Sequence, residues 1–154
     1  MRRRIRTRTD PLGRFTLTDV PAGSIYLHAF KESDWYPDNF YSFFANGIGP
    51  IKVGAAAGET TEVTIPLGPK SGRLNLAITG PAGEPVRSAS ARFRRDDVPN
   101  YYERGVSGQD SLLVPPVPFR MTIDSPGYEQ WSSKVITVQS SKSLDLAVHL
   151  VRRP

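Results

Sequence analysis

Residues 9–29 read TDPLGRFTLTDVPAGSIYLHA, and this stretch decides the fold class. Phe15 and Leu17 alternate with Thr16 and Thr18, the two-residue period of a half-buried strand. Asp10-Pro11-Leu12-Gly13 before them and Val20-Pro21-Ala22-Gly23 after them are turn material. Proline presets φ there, and glycine accepts the positive φ that other residues resist. Beyond the second turn Ile25, Leu27 and Ala29 share one face, and Tyr26, His28 and Phe30 share the other. Two such strands bury too little surface to stand alone. The stretch therefore predicts an all-β chain with further strands.

The rest of the chain extends that reading. Its 154 residues allow one domain or two small ones. Fourteen prolines and thirteen glycines recur at turn-like intervals, as many short strands require. No segment keeps a 3.6-residue apolar period, so no helix longer than a turn or two is predicted. The lack of cysteine excludes a disulfide framework and thiolate metal ligation. The net charge of +5 is local: Arg2, Arg3, Arg4, Arg6 and Arg8 supply it, and basic and acidic residues balance from residue 9 onward. It reads as a solvated terminal run, and no nucleic-acid partner is expected. Nor is it a secretion signal, because RTRTDPLG follows where an apolar core should stand. No apolar stretch approaches the length of a membrane span.

Pro69-Lys70-Ser71-Gly72 marks a boundary. Past it Leu74, Leu76 and Ile78 alternate, Gly80-Pro81-Ala82-Gly83 turns, and Val86, Ala89, Ala91 and Phe93 follow as the second half of a hairpin. Tyr101–Val106 adds a candidate strand. Gly108–Val114 then resembles Gly13–Val20, and Pro115–Met121 matches Pro21–Leu27. Ile136 and Val138 match Ile51 and Val53, and Leu146, Val148 and Leu150 match Val63, Ile65 and Leu67. An internal repeat is the economical reading. It gives a partial domain over 1–69, with no counterpart of 73–106, and a complete one over 70–154. The expectation is that the chain begins inside a domain and that the first unit presents an unpaired sheet edge. The predicted core of the complete domain is Leu74, Leu76, Ile78, Ala91, Phe93, Leu113, Phe119, Met121, Ile123, Ile136, Val138, Leu146, Val148 and Leu150.

These motifs resemble the carboxypeptidase regulatory-like domain, a transthyretin-like sandwich found in tandem in large bacterial proteins. Gly72–Ile78, Gly83-Glu84-Pro85-Val86, the Gly108 turn, the proline-led segment 115–123 and Pro126-Gly127-Tyr128 carry the resemblance in the second copy. Thr9–Phe15 and Val20–Gly23 carry it in the first. Val117 stands where the family's Pro-Ala-Gly has its glycine, and Ile25 and Phe119 replace a tyrosine. The resemblance implies an antiparallel Greek-key-type, prealbumin-like β-sandwich. It also implies a non-catalytic accessory module, a spacer or docking unit of a larger exported protein that is periplasmic, cell-surface or secreted. Two enzyme families share the architecture. Hydroxyisourate hydrolases end in Tyr-Arg-Gly-Ser, whereas this chain ends Val151-Arg152-Arg153-Pro154. Intradiol dioxygenases carry a His-x-His pair, which is missing here.

The candidate ligand-binding residues are aromatic: Trp35, Tyr36, Phe40 and Tyr41, with Phe43 and Phe44 close behind and Pro37, Asp38 and Asn39 between. Flat rings beside carboxylate and amide groups suit a sugar, the rings for stacking and the polar groups for hydroxyls. Starch-binding modules belong to related sandwich superfamilies, which supports a polysaccharide ligand as the alternative function. The competing reading has the same rings pack against the domain or a neighbouring one. Tyr101 and Tyr102 lie near Asp96, Asp97, Asn100 and Glu103 without the spacing of a calcium loop. Trp131 is expected in a core or an interdomain contact. His28 and His149 both fall on predicted strands, without a metal-pair spacing or a Ser-His-Asp pattern. No catalytic residue, metal or cofactor is expected. The expected partners are neighbouring domains or another protein.

Overall fold

The computed structural model describes residues 4–37, 51–99 and 101–154. The protein is all-β, and its described residues contain no α-helix. It divides into two units. One comprises the described residues of Met1–Leu27 and Ile51–Ile65, the other those of His28–Pro50 and Pro66–Pro154. This differs from the expected division at 69/70 in two respects: residues 28–37 and 66–69 belong with the second unit. The bonds of the former to the start of its first strand explain their assignment.

In the first unit, β1 (Gly23–Leu27) pairs antiparallel with β2 (Ile51–Ala55), Ile25 opposite Val53 and Leu27 opposite Ile51. The faces are as the pattern predicts, with Leu27 buried and Tyr26 58% exposed. The Asp10 turn also forms as expected. Asp10 Oδ1 accepts from the amides of Leu12 and Arg14, both at 2.9 Å, and Gly13 adopts φ +78°. The strand expected at Phe15–Thr18 does not form a ladder among the described residues. Its alternation survives all the same: Phe15 and Leu17 are half-buried, and Thr16 and Thr18 are exposed. Side-chain facing follows from the apolar period, but a ladder also needs a neighbouring strand.

The described residues of the second unit form seven strands in two sheets. β3 (Gly72–Thr79) lies between β6 (Gln109–Val114), which is antiparallel to it, and β9 (Ser143–His149), which is parallel. The other sheet runs β5-β4-β7-β8, all antiparallel: β4 (Ala89–Arg94), β5 (Tyr101–Val106), β7 (Arg120–Asp124) and β8 (Trp131–Ser132). The expected hairpin from Leu74 to Phe93 is reduced to a single bridge, Thr79 to Pro85. Proline has no amide to extend a ladder, and the chain crosses there to the other sheet.

One core lies between the sheets. Leu74, Leu76 and Ile78 of β3 meet Ala91 and Phe93 of β4 and Met121 and Ile123 of β7, all buried. Each large side chain so buried contributes about 1.5–3 kcal/mol. The Phe93 ring sits 5.7 Å from Phe119 and 6.0 Å from Tyr102. Leu113 is a correction: Leu112 and Val114 are buried and Leu113 turns to the opposite face. Leu112-Leu113-Val114-Pro115 is an unbroken apolar run, so the period could not decide which alternate positions face inward. Val86 and Val106 complete the core, while Leu146, Tyr128 and Trp131 are half-buried against it. Gly72 allows the 138–139 segment to approach, since a Cβ there would lie 2.8 Å from Val138 Cβ and 2.9 Å from the Gln139 carbonyl.

Candidate functional site

The sequence-predicted aromatics divide sharply. Phe40 and Tyr41 lie outside the described residues, whereas Trp35 and Tyr36 sit on a built turn. Glu32–Asp34 forms one 3-10 turn, and Lys31 and Tyr36 close it as a bridge, with amide–carbonyl distances of 2.7 and 3.0 Å. Ser33 and Asp34 favour such a turn and Pro37 ends it. Trp35 caps it at φ 65°, ψ 27°, in the left-handed region. For a bulky side chain that conformation costs about 1–3 kcal/mol and persists only where its surroundings enforce it.

Three contacts to Trp35 itself do so, and Lys70 braces the residue on either side of it. The Trp35 amide donates to the Glu32 carbonyl at 3.0 Å, and its carbonyl accepts from the Ser71 amide at 2.9 Å. The Arg73 guanidinium lies over the indole at 5.0 Å. Lys70 Nζ donates to Asp34 Oδ1 at 2.9 Å and sits 5.6 Å from the centre of the Tyr36 ring. The Lys70 hydrogen bond holds the Asp34 carboxyl below its ordinary range, and Asp34 in turn raises Lys70.

From Arg73 the polar contacts continue across the outer face of the three-stranded sheet. Arg73 Nη1 donates to Ser111 Oγ at 2.9 Å, Ser111 Oγ to Asn75 Oδ1 at 2.9 Å, and Asn75 Nδ2 to Asp145 Oδ1 at 2.8 Å. The register causes this, because Asn75 stands opposite Ser111 on β6 and Asp145 on β9. One row further on, Ala77 lies between Gln109 and Ala147 and leaves a low floor. Beyond it Thr79 Oγ1 lies 2.8 Å from His149 Nδ1. The result is a strip of donors and acceptors with an indole at one end.

Sequence reasoning found the indole and missed the strip. Arg73, Asn75 and Thr79 are the outward positions of a strand read only for its inward leucines. Their partners lie as many as 70 residues away. Tyr101, 51% exposed, sits on the other sheet beneath Arg92, and Tyr102 packs on the core. Trp131 also lies against the core, as expected. Among the described residues no group of His, Asp and Glu is placed to hold a metal ion, and no helix is long and apolar enough to cross a membrane. The strip offers side-chain donors and acceptors and one indole. Its chemistry is hydrogen bonding and ring contact. No family model matches the chain, and no curated protein matches it.

Proposed function

We propose that the chain is a non-catalytic interaction module of the carboxypeptidase regulatory-like, prealbumin-like kind, a docking unit or spacer of a larger exported bacterial protein. Its docking surface is the outer face of β6-β3-β9. The observation that carries this reading is the strained conformation of Trp35, tied to the edge of that face by the Ser71 amide and the Arg73 guanidinium. Strain of this kind persists where it serves a preorganised surface. Arg73 occupies part of the indole environment, which favours a protein partner that covers the strip over a sugar that needs an open ring face.

A second reading rests on the strip itself. Asn75, Asp145, Gln109 and His149 around an alanine floor would suit the hydroxyls of a polysaccharide, with Trp35 and Tyr36 at its end. One pair of experiments ranks the two. A photoreactive residue at Ala147 should give a protein adduct in the cells of origin, and Trp35→Ala should abolish it. Soluble polysaccharides should leave tryptophan fluorescence unchanged. Saturable quenching by one polysaccharide, lost in Trp35→Ala and without a protein adduct, would reverse the ranking.

A further inference from the structure

The other sheet carries a feature that the docking surface does not use. Arg94 on β4 stands directly opposite Arg120 on β7. Side chains in such a pair start about 4.5–5.5 Å apart, and like charges there repel. Among the described residues the ion pair of Arg120 is a long contact with Asp96, 3.6 Å, between two well-exposed groups, and such a contact is worth little. Among the described residues no carboxylate lies within ion-pair distance of Arg94, which leans toward the Tyr101 ring at 5.9 Å. The neighbouring Asp97 is already committed, since both its oxygens accept from the buried Arg95. Positive charge is therefore left over where the two strands meet.

That charge opens onto a cavity of about 340 Å³. The size falls at the small end of the range for organic ligands, about 300–1,000 Å³. Arg95, Asp96 and Asp97 also line it, which leaves three guanidinia against two carboxylates, and the rest of the wall is apolar: Val117, Pro118, Phe119 and Val135, the last 49% exposed. Val117 stands where the first copy has Gly23 and where the family motif has glycine. The side chain at that departure builds part of the wall.

We propose that this cavity binds a carboxylate carried on a short apolar body. The carboxylate bridges the Arg94 and Arg120 guanidinia, whose planar forks match it, and displaces the long Asp96 contact. The apolar body rests on Val117, Pro118 and Val135. The ligand is either a free organic acid or the C-terminus of a peptide that ends in an apolar residue, because both present the same chemistry.

The test uses the full chain and amide NMR. Hexanoate should shift the signals of residues 94–97, 117–120 and 135 saturably, while hexanamide and chloride at equal concentration should not. Arg94→Gln and Arg120→Gln should each weaken hexanoate by roughly tenfold, the loss of one charge-assisted bond, with an unchanged urea midpoint to show intact folding. Trp35→Ala should bind hexanoate normally. A dipeptide acid such as acetyl-Ala-Val that binds more tightly than hexanoate, and loses binding when amidated, assigns the site to chain ends. The reverse order assigns it to free acids. Equal shifts from hexanoate and hexanamide, no shift from either acid, or indifference to both arginine variants would overturn the proposal.

Discussion

Gly13–Val20 and Gly108–Val114 resemble each other in sequence, yet among the described residues only the second holds a strand. In the first, the alternation of Phe15 and Leu17 persists as half-burial without a ladder among the described residues. In the second, β3 lies alongside and Leu112 and Val114 are fully buried. The same contrast holds for Val63 and Ile65 against β9. Pattern selects a face, and a neighbouring strand turns that face into structure. Within the described first unit only Leu27 is buried, whereas the second unit has a core fed from both of its sheets.

The most forceful way to break this comparison is to truncate matching positions. Phe119→Ala should destabilise the second unit by about 3–5 kcal/mol in urea unfolding. Ile25→Ala, at the half-buried position that aligns with Phe119 in sequence, should cost only about 1 kcal/mol. Similar losses at both positions would mean that the first unit has a core as developed as the second. A milder probe adds one methyl group. Gly72→Ala pushes against Val138 and the Gln139 carbonyl and should cost about 1–3 kcal/mol. Gly54→Ala on β2 meets nothing within 4 Å and should stay within about 0.5 kcal/mol. A tolerant Gly72 would show that the 138–139 segment yields easily.

The smallest expected effect is electrostatic. Asp10 and Asp34 both titrate below their ordinary 3.8. For Asp10 the first cause is the Arg14 amide in its own turn, and for Asp34 it is Lys70, 36 residues away. A depressed carboxyl stabilises fully above its ordinary value, and the contribution fades as pH falls through the folded one. Lys70 is raised above 10.5, so its share is present below that value and is lost as pH rises through the folded one. Asp34→Asn should remove a modest stability increment across the interval between, read as a Tm difference that vanishes in strong acid and strong base. Carboxyl NMR in urea should return Asp34 to 3.8. An Asp34 that stays depressed in the unfolded chain would trace its shift to local contacts.

The all-β class, the turns at Asp10 and Gly80, the β5 strand and most of the core were legible because each rests on neighbours within a few residues. Leu113 was misplaced because its run offers no polar residue to break the tie. The β3–β4 hairpin was overread because Pro85 can end a ladder as well as bend one. The strip was hidden for a different reason. Nothing near Asn75 in sequence announces Asp145, and only the parallel register of β3 with β9 brings them to 2.8 Å.

That parallel pairing also dictates an order of events. β3 gains its first neighbour when β6 arrives, but its other flank waits for β9, which follows every other strand of the described second unit. While the protein is being synthesised, the central strand must stay half-covered until residues 143–149 have emerged. Contacts so distant along the chain close slowly. The vulnerable species in the cell is therefore a nascent chain that has not yet reached β9, with the flank of β3 open to any strand that reaches it before its own.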